Sequence, residues 1–278
     1  MTTIAVTGAT GSIGRLTADL LTGAGLRPRL LAPRPQRLDT DLPTARCDYA
    51  DGSSVRAALA GVDVALFVSG REDADRLSQH RTFVDAARDA GVQHLVYTSF
   101  VGASPTSGFT LGHDHAATEA SIVESGLTAT FLRDNFYAEV FGHFADGSGA
   151  IRGPAGRGRV AAVSQRDVAA VAAHVLGDPA RHADATYDLT GPEALSLDEI
   201  AAHLSAVTGR PHRFVDETLD EARASRAGHG APDWQVDAWI STYTAIRDGE
   251  LAAVSGDVER LLGRPALTFR DALVGTDA

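Results

Sequence analysis

The run Ile4-Ala5-Val6-Thr7-Gly8-Ala9-Thr10-Gly11-Ser12-Ile13-Gly14 constrains the fold more than any other stretch of the chain. An apolar, β-prone segment enters three glycines spaced G-x-x-G-x-x-G, and a helical pattern with Leu16, Leu20 and Leu21 on one face leaves them. A strand that passes through a glycine turn into a helix builds an anion site. The first N–H groups of the helix lack intrahelical partners, and the helix dipole places partial positive charge beside them. Gly8 permits the tight turn. Gly11 lets a pyrophosphate approach the backbone, and Gly14 lets the helix pack close to the strand. Thr10, Ser12 and Ile13 complete the expected cofactor cradle. A ligand-free βα turn would also use three glycines, but the strand before and the helix after favour a dinucleotide.

Beyond this turn, strand and helix patterns alternate. Pro28 to Ala32 reads as a second strand, and Ser53 to Ala60 as a short helix. Val62 to Gly70 reads as a buried strand, Ala74 to Ala90 as a helix, and His94 to Ser99 as the next strand. Alternation at this spacing implies βαβ units in a parallel sheet. Ligands sit beyond the carboxyl ends of such strands, so Val68, Ser69 and Gly70 are expected at the cofactor. Phe100 to Gly112 reads as a flexible loop over the site. His113-Asp114-His115 is expected to open a helix to Ser125, and Leu127 to Leu132 to form a strand. Residues 142–159 read as irregular, Asp167 to Leu176 as a helix, and Thr186 to Leu189 as a short strand. After Gly191-Pro192 the pattern changes. Ser196-x-x-Glu199 is a capping box for a helix to about Val207, Arg213 to Val215 is a brief strand, and further helices carry Trp234 and Trp239. The expected architecture is an α/β, Rossmann-type doubly wound parallel sheet over residues 1–190. A smaller, mostly helical α/β portion for substrate binding follows over 191–278.

The end of the second strand selects between cofactors in this architecture. An acidic residue there binds the 2′-hydroxyl of NAD, whereas an Arg accommodates the 2′-phosphate of NADP. Here the sequence is Ala32-Pro33-Arg34-Pro35-Gln36-Arg37, with no carboxylate before Asp39. Arg34 is the expected phosphate partner, although a solvated basic turn would look the same. Asp48 or Tyr49 could border the adenine or simply end a strand.

Composition narrows the chemistry. The 25 basic residues are all Arg, so no mechanism can rest on a catalytic lysine. A formal net charge of −11 argues against nucleic acid as a partner. A single cysteine, Cys47, excludes an internal disulfide and fits a reducing, cytoplasmic compartment. No apolar run approaches the roughly 18 residues of a membrane span. His113-x-His115 is a poor metal pattern, because residues two apart do not share a helix face.

With these residues in view, the chain resembles the atypical short-chain dehydrogenase/reductases. Within them it is similar to the NmrA-like branch of NAD(P)H:quinone oxidoreductase type. The Val-Thr-Gly-Ala-Thr-Gly opening, the Arg34 turn, Tyr97-Thr98-Ser99, His115 with Thr118-Glu119, and Leu132-Arg133 with Asn135-Phe136-Tyr137 carry the resemblance. It implies an NADPH-binding Rossmann core that passes hydride to a quinone or a similar small electrophile. The tyrosine–lysine pair of ordinary short-chain dehydrogenases is missing. His115 stands where some NmrA-like reductases place a Lys, which leaves quinone reduction open and disfavours alcohol–ketone chemistry.

The resemblance assigns roles residue by residue. His115 is expected to protonate the reduced oxygen or to bond a ribose hydroxyl, held neutral by the positive end of its helix. Ser99 is expected to hydrogen-bond substrate, Asn135 and Phe136 to flank the nicotinamide, and Tyr137 and Phe141 to stack on a flat acceptor. Asp167 and Glu119 read as structural. The partner is thus a small quinone-like molecule, and the chain leaves room for a homodimer. The alternative is a non-catalytic, NADP(H)-sensing regulator of NmrA type.

Overall fold

Short apolar strands, each stopped by a polar turn and followed by an amphipathic helix, build the first two-thirds of the chain. The computed structural model describes residues 2–275; Met1 and residues 276–278 lie outside them. β1 (Ile4–Val6) leads to α1 (Ser12–Gly23), β2 (Arg29–Ala32), β3 (Thr44–Arg46), α2 (Gly52–Leu59), β4 (Val64–Phe67) and α3 (Arg76–Asp89). β5 (His94–Phe100), α4 (Thr110–Glu124), β6 (Thr128–Asp134), β7 (Ala150–Gly153), β8 (Arg159–Val160), α5 (Gln165–Gly177) and β9 (Ala185–Leu189) follow. The chain ends with β10 (Leu195–Ser196), α6 (Leu197–Thr208), β11 (Arg213–Asp216), α7 (Leu219–Arg226), α8 (Asp233–Arg247), α9 (Asp257–Leu262) and α10 (Phe269–Val274).

Seven strands form one sheet in the order β3-β2-β1-β4-β5-β6-β9. The pairings among β1 to β5 are parallel, with Ala5 opposite both Arg29 and Ala65, and Leu66 opposite Val96. The chain moves outward from β1 to β3 and then returns to lay β4 on the other side of β1. That reversal is a topological switch point, the place where open α/β sheets leave a crevice for ligand beyond their carboxyl ends. It confirms the doubly wound reading.

Two compact units share the chain. The first comprises Met1–Phe100, Asp114–Arg133 and Val168–Tyr187; the second comprises Val101–His113, Asp134–Asp167 and Asp188–Ala278. They are interleaved in sequence, where the sequence reading places a single boundary after residue 190. The reason lies in long-range bonds. Glu250 accepts from Gly108 N–H at 3.1 and 2.9 Å, Ser241 Oγ accepts from Thr110 N–H at 3.1 Å, and Asn135 Nδ2 donates to the Leu251 carbonyl at 3.0 Å. These bonds hold the segments after β5 and β6 to C-terminal elements.

The core of the first unit is aromatic. The Phe67 and Phe83 rings stack 4.1 Å apart, and Tyr97 lies 5.1 Å from Phe67. Leu31, Leu59, Leu95 and Ile122 are wholly buried around them. Each such side chain contributes about 1.5–3 kcal/mol by leaving water. In the second unit β7 pairs parallel to β11, and β8 pairs antiparallel to β10. The expected capping box at Ser196 and Glu199 opens α6, and Gly209 closes it at φ 69°.

Three expectations need correction. α4 begins at Thr110, so His115 sits in its second turn and not at its start. The stretch 142–159 is not irregular throughout, because β7 and β8 lie in it; their partners β11 and β10 are distant in sequence and give no local signal. The loop after β5 is no loose flap: Glu250 and Ser241 hold its end, and His113 Nε2 lies 2.8 Å from the Ser107 carbonyl.

Candidate functional site

The glycine turn has the geometry its sequence calls for. Gly8 adopts φ +62°, and a Cβ there would press on Val68 at 3.1 Å. A Cβ on Gly14 would collide with the carbonyl oxygens of Thr7 and Gly8, so only glycine lets α1 sit this close to β1. Gly11 differs. Its backbone is extended (φ −99°, ψ 171°), and the nearest atom to an added Cβ is the Gly8 oxygen at 3.4 Å, an ordinary contact. Nothing in the protein requires glycine there, so the space over Gly11 is left for a ligand. α1 starts with no side-chain cap and no acidic residue in its first turn. The N–H groups of Ser12, Ile13 and Gly14 thus open onto an anion-seeking helix end. Thr10 and Ser12 are exposed, while the Ile13 side chain is buried and only its backbone faces the turn. This cradle fits a pyrophosphate.

Arg34 lies at the end of β2, exposed, and no carboxylate pairs with it or with Arg37 among the described residues. A free guanidinium at this place fits a terminal phosphate.

The carboxyl end of β4 is held by side chains that the sequence did not single out. Val68 N–H donates to Thr7 Oγ1 at 2.9 Å, Ser69 N–H to Thr98 Oγ1 at 2.8 Å, and Gly70 N–H to His80 Nε2 at 2.8 Å. The Val68 carbonyl accepts from the Tyr49 hydroxyl at 2.8 Å, and the Gly70 carbonyl from Arg76 Nε at 2.9 Å. Three successive backbone N–H groups are therefore spent inward, on Thr7, Thr98 and His80. A Cβ on Gly70 would meet His80 Nε2 at 3.1 Å. Tyr49, one of two candidates for the adenine border, is instead a brace whose hydroxyl lies 2.6 Å from Thr7 Oγ1.

His115 sits inside the first unit. Its side chain is buried, with Nε2 at 3.0 Å from Arg76 Nη2 and Nδ1 at 3.0 Å from the Tyr97 hydroxyl. Both ring nitrogens have partners inside the first unit. It is neutral, as expected, but not because of a helix dipole. Burial pushes its pKa well below the usual histidine value, and the Arg76 and His80 charges push the same way. Arg76, 4% exposed, also pairs with Asp114 at 3.3 Å. His80 Nδ1 lies 2.9 Å from Thr118 Oγ1, and burial followed by Arg76 lowers its pKa to about 3. Tyr97 has no exposed surface, and burial raises it above the usual phenol range.

Ser99 is likewise committed. Its hydroxyl donates to Glu119 Oε1 at 2.5 Å, and Glu119 takes a two-pronged bond from Arg133 at 2.9 and 2.6 Å. Glu119 is structural, as expected; so is Asp167, which is fully buried, accepts from Leu267 N–H at 2.7 Å and pairs with Arg264 at 2.8 Å.

In the second unit, Asn135 is 1% exposed, with Nδ2 on the Leu251 carbonyl and Oδ1 on Phe136 N–H. Its side chain is a tie between segments. Phe136 and Tyr137 are half-buried. Phe141 has no exposed surface and packs among Phe136, Phe144 and Phe269, the packing role that the spacing of Tyr137 and Phe141 also allows. Trp234 is partly exposed.

Among the described residues no group of three His, Cys, Asp or Glu side chains could hold a metal, and no helix is long and apolar enough to cross a membrane.

Comparison with known proteins agrees with this geometry. The chain is 35% identical to the NAD(P)H azoreductase of Xenophilus azovorans, over 96% of each chain. The NADPH complex of the Escherichia coli quinone oxidoreductase QOR2 superposes with a TM-score of 0.87 at 30% identity, covering 97% of this chain and 98% of that one. The Citrobacter triphenylmethane reductase, solved with NADP(H), superposes with a TM-score of 0.84 at 31% identity over 98% of each chain. Residues 1–222 match the NmrA-like family, and the chain belongs to it.

Proposed function

We propose that the protein is an NADPH-dependent oxidoreductase that passes hydride to a quinone or a similar small electrophile. The observation that carries this is the uncapped start of α1 against Gly8, Gly11 and Gly14 at the β1–β4 switch point, with an unpaired Arg34 at the end of β2. Relatives at 30–35% identity over nearly the whole chain are named as NAD(P)H-dependent reductases, which favours catalysis over a purely sensing role.

NADPH supplies the hydride when bound; the chain's own groups bind and orient it. In this reading the N–H groups of Ser12, Ile13 and Gly14 hold the pyrophosphate, and Arg34 holds the 2′-phosphate. The Ser69 carbonyl and hydroxyl meet the nicotinamide half, on a segment fixed by Thr7, Thr98, His80 and Arg76. Ser99 and His115 shape the site without touching the acceptor. Acceptor contacts are assigned to Phe136 and Tyr137. A cytoplasmic location and a homodimer belong to the same reading.

The test is a titration with NADPH, then a screen for NADPH oxidation with a quinone, an azo dye and a triphenylmethane dye. Turnover with at least one of them is expected. Tight NADPH binding with no turnover on any would favour the sensor.

A further inference from the structure

One residue beyond the carboxyl end of β4 is gripped on both sides by a single helix. Gly70 N–H donates to His80 Nε2 at 2.8 Å, and the Gly70 carbonyl accepts from Arg76 Nε at 2.9 Å. Arg76 and His80 are four positions apart in α3, so both side chains leave the same face of that helix. Residues 71–75 between the two ends lie in no helix or strand. Every group of this clamp belongs to the first unit.

His80 can hold Gly70 in one protonation state only. A backbone N–H donates, so Nε2 must carry a lone pair. The Thr118 hydroxyl spends its proton on the Asp114 carbonyl at 2.7 Å, so toward Nδ1, at 2.9 Å, it accepts. The ring proton therefore sits on Nδ1. A second proton, on Nε2, would face the Gly70 N–H with no acceptor between them. Burial and then the Arg76 charge lower the His80 pKa to about 3, which keeps Nε2 an acceptor at neutral pH. The ring is also wedged in place. It has no exposed surface and meets Phe67 and Tyr97 edge-on, with centroids at 5.1 and 6.0 Å. Gly70 is fitted to it in turn, since a Cβ there would lie 3.1 Å from Nε2.

The sheet itself does not reach this far. The pairing of β4 with β5 ends at Phe67, and Thr7 and Thr98 hold only Val68 and Ser69. Gly70 depends on α3. Hydride transfer needs its reacting carbons about 3–3.5 Å apart, and a misplacement of about 1 Å can cost about a hundredfold in rate. A wall for the reacting ring must therefore be fixed before the cofactor arrives.

We propose that His80 is a positioning residue for hydride transfer: by accepting the Gly70 N–H it fixes Ser69 and Gly70 against the nicotinamide half of NADPH, while the adenosine half is held without it. The proposal rests on the reductase reading, which assigns this segment to the nicotinamide.

The experiment uses the full chain with His80→Leu and His80→Gln. Leucine fills similar space and accepts nothing. Glutamine carries an amide oxygen near the place of Nε2 and an amide N–H for Thr118. Calorimetry measures the affinity for NADPH and for 2′-phospho-ADP-ribose, which lacks the nicotinamide, and kcat is followed with a water-soluble naphthoquinone. His80→Leu should lower NADPH affinity and kcat each by on the order of tenfold and leave 2′-phospho-ADP-ribose affinity near that of wild type. His80→Gln should restore most of both losses. A purely structural role would lower the melting temperature without separating the two ligands. Nitrogen-15 NMR of the wild type at neutral pH should place the ring proton on Nδ1. Should His80→Leu not fold, Gly70→Ala, whose Cβ presses on Nε2, should separate the ligands in the same way. Equal loss of both ligands, wild-type values in His80→Leu, a His80→Gln as impaired as His80→Leu, or a ring proton on Nε2 overturns the proposal. A wild type that binds NADPH and reduces no acceptor overturns the reductase reading instead, and the separation of the two ligands still decides whether His80 holds the nicotinamide end.

Discussion

Arg76 Nη2 lies 3.0 Å from His115 Nε2, with both side chains buried. A guanidinium only donates, so Nε2 accepts and the ring proton sits on Nδ1, against the Tyr97 hydroxyl at 3.0 Å. The same guanidinium donates through Nε to the Gly70 carbonyl. His115 is thereby tied through Arg76 to the end of β4.

Replacing Arg76 with Met keeps much of the bulk and removes the donors to Gly70, His115 and Asp114. Leaving a buried carbonyl unanswered costs about 1–3 kcal/mol. Loss of stability in that range is expected in denaturant melts, with weaker NADPH binding by fluorescence titration. His115→Ala should retain the solvent deuterium isotope effect of quinone reduction. If the effect disappeared in His115→Ala, the histidine would be the proton donor after all.

Gly11 and Gly14 should fail in different ways. A side chain at Gly14 meets backbone oxygens of Thr7 and Gly8, which cannot move aside. Gly14→Ala should thus cost roughly 1–3 kcal/mol of stability through overpacking. A side chain at Gly11 meets only the Gly8 oxygen, at 3.4 Å. Gly11→Val should melt like wild type yet lose NADPH affinity by on the order of a hundredfold, about 2.7 kcal/mol. Equal NADPH affinity in a folded Gly11→Val would show that the pyrophosphate lies elsewhere.

Much of this was readable from the sequence, for local reasons. The glycine turn, the alternating strands and helices and the Ser196–Glu199 box all signal within a few residues. What was not readable depends on partners far apart in the chain. Asp114, His115 and Thr118 look like a helix start until Arg76 and His80, 38 or 39 residues earlier, bond to them. Phe141 looks like an exposed aromatic until Phe269 covers it. Thr218-x-x-Glu221 is a second capping box in the sequence, and it opens α7.

Arg34 should set the choice between NADP and NAD. It is exposed, so its contact with a 2′-phosphate is partly screened by salt. A charge-assisted phosphate contact should still favour NADPH by roughly ten- to a hundredfold at low salt. Parallel titrations with NADPH and NADH should show that preference in wild type and its loss in Arg34→Ala. A preference that survives Arg34→Ala would pass the role to Arg37 or to the backbone.

Buried neutral histidines should make the protein acid-sensitive above the range where carboxylates matter. His80, His94 and His115 all have pKa values below the ordinary 6.5, chiefly through burial, and that of His80 falls to about 3. Each therefore binds its proton more readily in the unfolded chain. Their contribution to stability is complete above pH 6.5 and is lost as pH falls from 6.5 toward each folded value, near 3 for His80. The slope is roughly 1.4 kcal/mol per pH unit for each histidine that titrates only when unfolded. Asp51, Asp146, Glu199 and Glu221 are lowered by their hydrogen bonds and salt bridges, but they titrate in the unfolded chain only near pH 4. A loss of stability between about pH 6.5 and 5 thus belongs to the histidines. Denaturant melts across that interval should show it, and the His80 ring signals in NMR spectra of the folded protein should stay neutral through it. Constant stability from pH 7 to about 5 would mean that these rings take up protons in the native state, and the network around Gly70 would then be looser than its distances imply.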